Sequence, residues 1–402
     1  LEDCEGLDGS DLLPISRESW YPASVPVQGR DPAFIAAAGD GRDFEARTRA
    51  RTFWHIPKVV VQRRYLNPDL KEQEGREGQQ VLQMYVKAGE GGWQERTWGG
   101  IMRGLGRAGI NLAKAQFLEF WVNDFRIEQA ARRGRLHVDF GYVNEDYYWP
   151  AAGDTGLTVG SFEFEDRDRN NIFTAEENTG LDGVAGGSDK YDATTYIEEE
   201  FYYPFINGTE ANTYERQDTE DLDGDTNLDR YDGYYSIAVD LADSALVDVL
   251  RDYPPDRTVD IRNANQSWRK YRIRLSEALP VSPPGGLAPK LTEVTHVRIW
   301  YEDEETGAPV GTHLQLSEIK FLGSRWERDG IRKRLTEQLL TPAERGPDES
   351  YFIGEVSNKE NPDYFPPFGV REQNRIEEKE QSLVIDFQNL ERDHLPRINR
   401  LV

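Results

Sequence analysis

Two acidic stretches of the chain have the spacing of a calcium-binding loop of the EF-hand type. In such a loop, oxygen ligands occupy positions 1, 3, 5, 7, 9 and 12, and position 7 contributes its backbone carbonyl. At these positions one stretch carries Asp221, Asp223, Asp225, Asn227, Asp229 and Asp232. The other carries Asp166, Asp168, Asn170, Ile172, Thr174 and Glu177. The spacing therefore predicts two Ca²⁺ sites with these residues as ligands.

Position 6 departs from the usual pattern in both stretches. Glycine is preferred there because the backbone turns sharply, but Thr226 and Asn171 occupy this position. Asparagine tolerates a left-handed backbone better than threonine does. Five carboxylates within one short loop repel each other unless a cation lies between them, which favours calcium binding at Asp221–Asp232. The alternative interpretation is a solvated acidic loop without an ion.

Much of the protein's negative charge lies in this region. The chain has 402 residues, with 48 Lys and Arg against 73 Asp and Glu, so its formal net charge is −25. The segment 161–232 holds 21 acidic and 5 basic residues and accounts for −16 of that charge. A surface this acidic repels nucleic acid and anionic lipid. The 9 Trp, 19 Tyr and 17 Phe argue against a wholly disordered chain.

No arrangement typical of catalysis is visible in the sequence, and we expect a protein without enzymatic activity. The five histidines are scattered, and carboxylates that would suit glycoside hydrolysis are too numerous to select a pair. Cys4 is the only cysteine, which excludes an internal disulfide and a cysteine-based zinc site. Trp121 and Trp300 are predicted to pack in the core. The run Tyr147-Tyr-Trp149 is either an exposed aromatic platform or a buried strand end.

Around the acidic segment, the chain reads as mainly β. Apolar and polar residues alternate in many short stretches rich in Val, Ile, Tyr, Phe and Trp, such as 136–140, 237–241 and 271–275. Only a few short helices are expected, with the best candidates at 244–251, at 330–338 and in part of 128–133. The order of the strands suggests β-sandwich units of the jelly-roll, galactose-binding type.

A repeated pattern suggests that these units are arranged in tandem. Phe117–Asp124 matches His296–Asp303 in residue type, and each stretch has a Trp-led segment before it and an alternating strand after it. We therefore predict a first β unit at 1–155, an acidic calcium-loop connector at 156–232 and a second β unit at 233–330. The remainder, 331–402, is predicted to be a linker and the first strand of a third unit, which suggests a fragment of a longer protein.

Several motifs resemble the SprA family, the outer-membrane translocon of type 9 secretion, which is associated with gliding motility. Trp98-Gly-Gly-Ile-Met-Arg103 and Phe117-Leu-Glu-Phe-Trp-Val-Asn-Asp124 are similar to the WGGIMR…EFW stretch of that family. Further similar blocks follow in family order at 134–146, 177–183, 201–212, 218–229, 358–361, 366–370 and 380–383. Family members are several times longer than this chain, so the resemblance covers only part of the translocon.

The resemblance implies a cell-surface or outer-membrane structural component of a protein-secretion machine, exposed to the extracellular or periplasmic side. It also implies partners among the other secretion proteins, including a PorV-type shuttle protein and a plug protein. A calcium-dependent carbohydrate-binding surface protein is the alternative, with glycans as the partners. In that case the platform at Tyr148 and Trp149 would contact the sugar.

Overall fold

A computed structural model gives the fold of the chain. It describes residues 10–16, 19–26, 50–57, 60–66, 72–87, 97–126, 132–146, 166, 170, 172, 174, 176–177, 219–243, 247–251, 268–282, 286–303, 311–323, 326–336, 338–340, 344, 350–357, 372–373, 376–377 and 381–400. These residues form a mainly β protein, as the sequence predicts. Among them, no helix is long and apolar enough to cross a membrane.

Twenty-one strands lie among the described residues. In chain order they are β1 (Ser10–Leu12), β2 (Tyr21–Pro22), β3 (Arg51–His55), β4 (Val61–Gln62), β5 (Gly78–Gln79), β6 (Leu82–Lys87), β7 (Thr97–Gly104), β8 (Ala115–Asn123), β9 (Arg135–Tyr142), β10 (Gly233–Asp240), β11 (Val247–Arg251), β12 (Trp268–Arg274), β13 (Leu279–Val281), β14 (His296–Asp303), β15 (Gly311–Gly323), β16 (Trp326–Lys333), β17 (Ser350–Ser357), β18 (Glu372–Gln373), β19 (Ile376–Glu377), β20 (Gln381–Gln388) and β21 (His394–Arg400). The single α-helix among the described residues, α1, spans Glu72–Gly75, and 3₁₀ turns lie at Arg63–Tyr65 and Leu275–Glu277.

Thirteen of these strands build two antiparallel sheets. The seven-stranded sheet has the order β11-β12-β8-β15-β6-β3, with β1 also paired to β15, and the six-stranded sheet has the order β13-β10-β9-β14-β7-β2. The sheets pack face to face through one apolar core, in which the ring of Phe140 on β9 meets the ring of Phe321 on β15 at 5.2 Å between centroids. The predicted sandwich is therefore present.

The arrangement within the sandwich differs from two successive units. The similar stretches Phe117–Asp124 and His296–Asp303 form β8 and β14, and these strands occupy central places in opposite sheets. Strand β8 lies between β12 and β15, and β14 lies between β7 and β9. Each central strand is thus flanked by strands from the other predicted unit. The repeat reflects two equivalent environments in one sandwich, because a central strand is buried on both faces whichever sheet it belongs to.

Two of the predicted helices are strands. The candidate at 244–251 contains β11, which pairs with β12, and the candidate at 330–338 begins inside β16, which pairs with β21. Pairing with a neighbouring strand satisfies their backbone groups, so tertiary context overrides the weak helical periodicity. The strand predicted to open a third unit is β20, paired with β17. The boundaries of the connector at 156 and 232 stay a prediction.

The Trp98-Gly-Gly motif lies where the two sheets approach each other. A Cβ on Gly99 would lie 2.7 Å from the Val86 Cγ1 atom of the facing sheet, so a larger residue there would push the sheets apart. Trp98 and Trp300 pack edge to face on the outer side of the six-stranded sheet, at 6.3 Å between centroids. Trp121 and Trp300 are both buried, which confirms the prediction that they belong to packed cores.

Candidate metal centre

The Asp221–Asp232 loop lies against the outer side of the six-stranded sheet. It immediately precedes β10 and covers the last residue of β7, Gly104, whose Cα faces the Leu222 carbonyl. His296, the first residue of β14, is also beneath it and is fully buried. The neighbouring strands β7 and β14 therefore provide part of the surface on which this loop lies.

Inside the loop, carboxylates bind the backbone N–H groups that follow them. The Asp221 Oδ1 atom accepts hydrogen bonds from the N–H groups of Gly224 at 2.8 Å and Asp225 at 2.9 Å. Its Oδ2 atom accepts from the N–H of Thr226 at 2.9 Å. The Asp225 Oδ1 atom accepts from Asn227 N–H at 2.7 Å. These bonds wrap the backbone around the first aspartate, so the acidic side chains of the loop converge.

Position 6 of the loop has the conformation that usually selects glycine. Thr226 has a φ of +75°, in the left-handed region, and Gly224 two residues earlier has a φ of +80°. The turn is therefore made although threonine occupies position 6, at the expense of a backbone conformation that β-branched residues avoid.

The second predicted loop repeats two of these hydrogen bonds at the same positions. Asn170 N–H donates to Asp166 Oδ1 at 3.1 Å, from position 5 to position 1, and Ile172 N–H donates to Asn170 Oδ1 at 2.6 Å, from position 7 to position 5. At the end of the loop, the Glu177 Oε2 atom accepts from the N–H and the hydroxyl of Thr174, at 2.9 and 2.8 Å. Positions 9 and 12 are thereby tied together.

One predicted ligand of that loop, Asp168, lies outside the described residues, as does the Tyr148 and Trp149 platform. Of the described ligands, Asp166 is buried, while the Ile172 side chain is exposed. An exposed side chain at position 7 agrees with a role for its backbone carbonyl alone.

Glu145 is a member of the centre that the ligand spacing did not reveal. It follows β9, is fully buried, and its Oε1 atom accepts from the N–H groups of Leu222 at 2.7 Å and Asp223 at 3.2 Å. Its Oε2 atom accepts from Asp229 N–H at 3.0 Å, while its own N–H donates to the Asp229 carbonyl at 2.8 Å. The only signal in the sequence was its place in the block at 134–146 that resembles the SprA family. A contact with a loop about 80 residues later has no local pattern.

His296 completes the contact between the loop and the sheet. Its Nε2 atom lies 2.9 Å from Glu145 Oε1, and its Nδ1 atom lies 3.0 Å from Thr295 Oγ1. The Thr295 hydroxyl donates to the carbonyl of Gly141 at 3.3 Å, so both imidazole nitrogens face acceptors. The imidazole therefore ties the first residue of β14 to the Glu145 carboxylate.

Asp232, predicted as the ligand at position 12, is directed towards the sheet. Its Oδ1 atom accepts from Asn144 N–H at 3.2 Å and lies 4.0 Å from the Nη1 atom of Arg298, which is fully buried. The Arg298 Nη2 atom also lies 2.8 Å from Asp139 Oδ2. A buried guanidinium requires carboxylate partners. Asp232 therefore serves as one of these partners and fixes the end of the loop.

The electrostatics of the loop show a surplus of negative charge. Burial, and next the charge of Glu145, raise the pKa of Asp223 to about 6 and raise the pKa of Asp229. Burial also raises the pKa of Asp232, although Arg298 opposes this. A bound cation would relieve this repulsion and keep the carboxylates ionised at neutral pH.

Two groups of side chains in the centre can hold a metal ion. One group consists of Glu145, Asp221 and Asp223, and the other of Glu145, Asp229 and His296; within each, one potential ligand atom per residue lies within 4.8 Å of the others. The structure thus brings Asp221, Asp223 and Asp229 together around Glu145. A separate group, Glu391, Asp393 and His394, lies at the start of β21.

Comparison with known proteins adds no relative: no protein-family model matches the chain, and no curated protein sequence matches it.

Proposed function

We propose that the protein is a non-catalytic β-sandwich component of the cell surface or outer membrane, stabilised by Ca²⁺ bound in its two acidic loops. The observation that carries the proposed calcium binding is the shared hydrogen-bond pattern of the two loops, while the proposed place at the cell surface rests on the resemblance to the SprA family. In each, the N–H of position 5 donates to the side chain of position 1, and the N–H of position 7 donates to the side chain of position 5.

Calcium is the ion that suits these loops best. Ca²⁺ is a hard cation that takes six to eight oxygen ligands, whereas zinc sites use nitrogen and sulfur in addition to carboxylate oxygen. The predicted ligands in both loops are carboxylate, amide, hydroxyl and backbone oxygens. Mg²⁺ demands a nearly ideal octahedral geometry and releases its water reluctantly, so it is a useful control.

Thermal unfolding of protein stripped with EDTA tests calcium binding. We expect millimolar Ca²⁺ to raise the Tm by several degrees because it binds the folded chain alone. Asp221→Asn combined with Asp225→Asn should reduce this increase, while Glu277→Gln, an exposed acidic residue on the 3₁₀ turn, should leave it unchanged. An identical Tm with EDTA, Mg²⁺ and Ca²⁺ would contradict the proposal.

The resemblance to the SprA family supports a more specific role in a type 9 secretion translocon. In that role the protein would contact a PorV-type shuttle protein and a plug protein. Affinity purification of the tagged protein from its native membrane, in calcium, should recover these partners. Calcium-dependent binding on a glycan array, with no secretion protein recovered, would overturn this role and favour the carbohydrate-binding alternative.

A further inference from the structure

We propose that Glu145 is the positioning residue of the Asp221–Asp232 loop, and that the calcium affinity of this loop depends on its seat against the six-stranded sheet. The inference rests on the proposed calcium binding and concerns residues outside both predicted loops. In this inference, Glu145 affects calcium binding by holding the backbone of the loop in place.

The first line of support is the way Glu145 spans the loop. Its carboxylate accepts hydrogen bonds from the N–H groups of Leu222 and Asp223 near the start of the loop. It also accepts one from the N–H group of Asp229 near the end of the loop. Fixing these peptide groups sets the separation of the Asp223 and Asp229 side chains, which are two of the predicted ligands. The Oε1 atom has three hydrogen-bond partners, the third being His296, so the carboxylate that belongs to both candidate metal groups also holds the loop backbone in place.

The second line of support is steric and does not depend on charge. At Gly104, the last residue of β7, an added Cβ would collide with the carbonyl oxygen of Leu222 and would lie 2.8 Å from the Asp223 nitrogen. Loop and strand therefore meet backbone to backbone at the peptide group between Leu222 and Asp223. Even a methyl group at this position has to displace the loop.

Isothermal titration calorimetry with CaCl₂ on the full chain separates the two loops. In an Asp166→Ala background, binding reports the Asp221–Asp232 loop. We expect Glu145→Gln and Gly104→Ala each to weaken its Kd about ten- to a hundred-fold, the range known for residues that orient metal ligands. Glu293→Gln, an exposed acidic residue beside Tyr142 on the same sheet, should leave the Kd within about two-fold.

The reciprocal background distinguishes positioning from a general loss of structure. In Asp221→Ala protein, binding reports the Asp166 loop, and Glu145→Gln and Gly104→Ala should leave its Kd unchanged. Weakening of both loops together would indicate general destabilisation and would overturn the inference.

Two further outcomes separate this inference from the proposed function. If the Asp166→Ala protein does not bind Ca²⁺, the proposed function fails for this loop. If it binds and both variants retain its affinity, the positioning role fails while calcium binding stands. Should Glu145→Gln not fold, Gly104→Ala still tests whether the calcium affinity depends on the seat of the loop, because it displaces the loop without removing a carboxylate.

Discussion

The Glu145 Oε1 atom lies 2.9 Å from the His296 Nε2 atom, and neither side chain is exposed to solvent. This pair joins the segment after β9 to the first residue of β14, 151 residues later in the chain. Since Glu145 also holds both arms of the acidic loop, the loop is attached to the centre of the six-stranded sheet. A change in the order of the loop should therefore also affect strands β9 and β14.

Position 6 of the Asp221–Asp232 loop offers a test of backbone strain. Thr226→Gly should raise the free energy of unfolding by up to about 1 kcal/mol, because a left-handed residue with a side chain costs about 1–2 kcal/mol and glycine's greater freedom when unfolded offsets part of this gain. Gly224→Ala should lower it by about 1 kcal/mol, since the φ of +80° leaves the backbone strained although the space is open. Urea unfolding followed by tryptophan fluorescence measures both, and equal shifts in the same direction would refute the strain argument.

Calcium affinity should fall as the pH falls through about 6, the pKa of Asp223 in the metal-free protein. Below this pH a proton competes with the ion. Calorimetry near pH 6 in two buffers of different ionisation enthalpy should show proton release on calcium binding, and Asp223→Asn should abolish much of it. No proton release from the wild-type protein at that pH would contradict the prediction.

The raised pKa of Asp223 has the opposite consequence for the metal-free protein, whose stability should fall as the pH rises. The folded pKa of Asp223 lies above its ordinary value of 3.8, so between these two values the folded chain binds more protons than the unfolded chain. Its contribution to stability is therefore present at low pH and is lost as the pH rises through about 6. Calcium should raise the Tm more at pH 7.5 than at pH 5.5, and an equal rise at both values would contradict this.

The lowered pKa of Glu119 on β8, in the seven-stranded sheet, predicts that the protein loses stability in acid. Burial raises its pKa, but Lys270, Lys320 and Arg272 together outweigh burial and lower it to about 2. Its contribution is complete above the unfolded value of about 4.3 and is lost as the pH falls towards 2. Glu119→Gln should remove up to about 3 kcal/mol at neutral pH, from about 1.4 kcal/mol per pKa unit.

Acid titration of the unfolding free energy tests this contribution. The Glu119→Gln protein should lose less stability than the wild type between about pH 4.5 and pH 2. The matched control is Glu318→Gln, whose carboxylate lies 3.7 Å from Lys320 and is 38% exposed. This control should keep the wild-type profile, because exposed ion pairs contribute about 0–1 kcal/mol. Identical profiles for all three proteins would refute the role of Glu119.

The core between the sheets should be sensitive to truncation at Phe140. This ring contacts Phe321 of the facing sheet and Tyr235 of the adjacent strand, and the residue is fully buried. Phe140→Ala should lower the free energy of unfolding by about 3–5 kcal/mol, because it leaves a cavity between the sheets. Leu335→Ala is the control, since that side chain is 93% exposed and its loss should change stability by less than about 0.5 kcal/mol.

Local patterns predicted many of the strands, with β11 and β16 as exceptions, but they did not predict which strands pair. Phe117–Asp124 and His296–Asp303 look alike because each is a central strand, and the sequence suggested one for each of two units. The structure places them in opposite sheets of the same sandwich, with flanking strands exchanged. Alternation specifies which residues face the core, but the neighbour of a strand depends on long-range packing.

The acidic loops were predicted from spacing because their internal hydrogen bonds join residues only two to five positions apart. Thr226 has the left-handed backbone that position 6 of the loop requires, although threonine disfavours this conformation. Spacing therefore predicted the backbone here better than residue type did. Asp232 marks the limit. Its partner Arg298 is distant in sequence, and only the folded sheet directs this carboxylate away from the rest of the loop.

The sequence by itself determined the mainly β class, the position of the two acidic loops and the residue types within them, because these depend on periodicity and on contacts within a few residues. The tertiary structure alone decided that the two predicted units share one sandwich and that Glu145, His296 and Gly104 form the seat of the Asp221–Asp232 loop. Those contacts join residues far apart in the chain. They arise only when antiparallel pairing brings β7, β9 and β14 side by side.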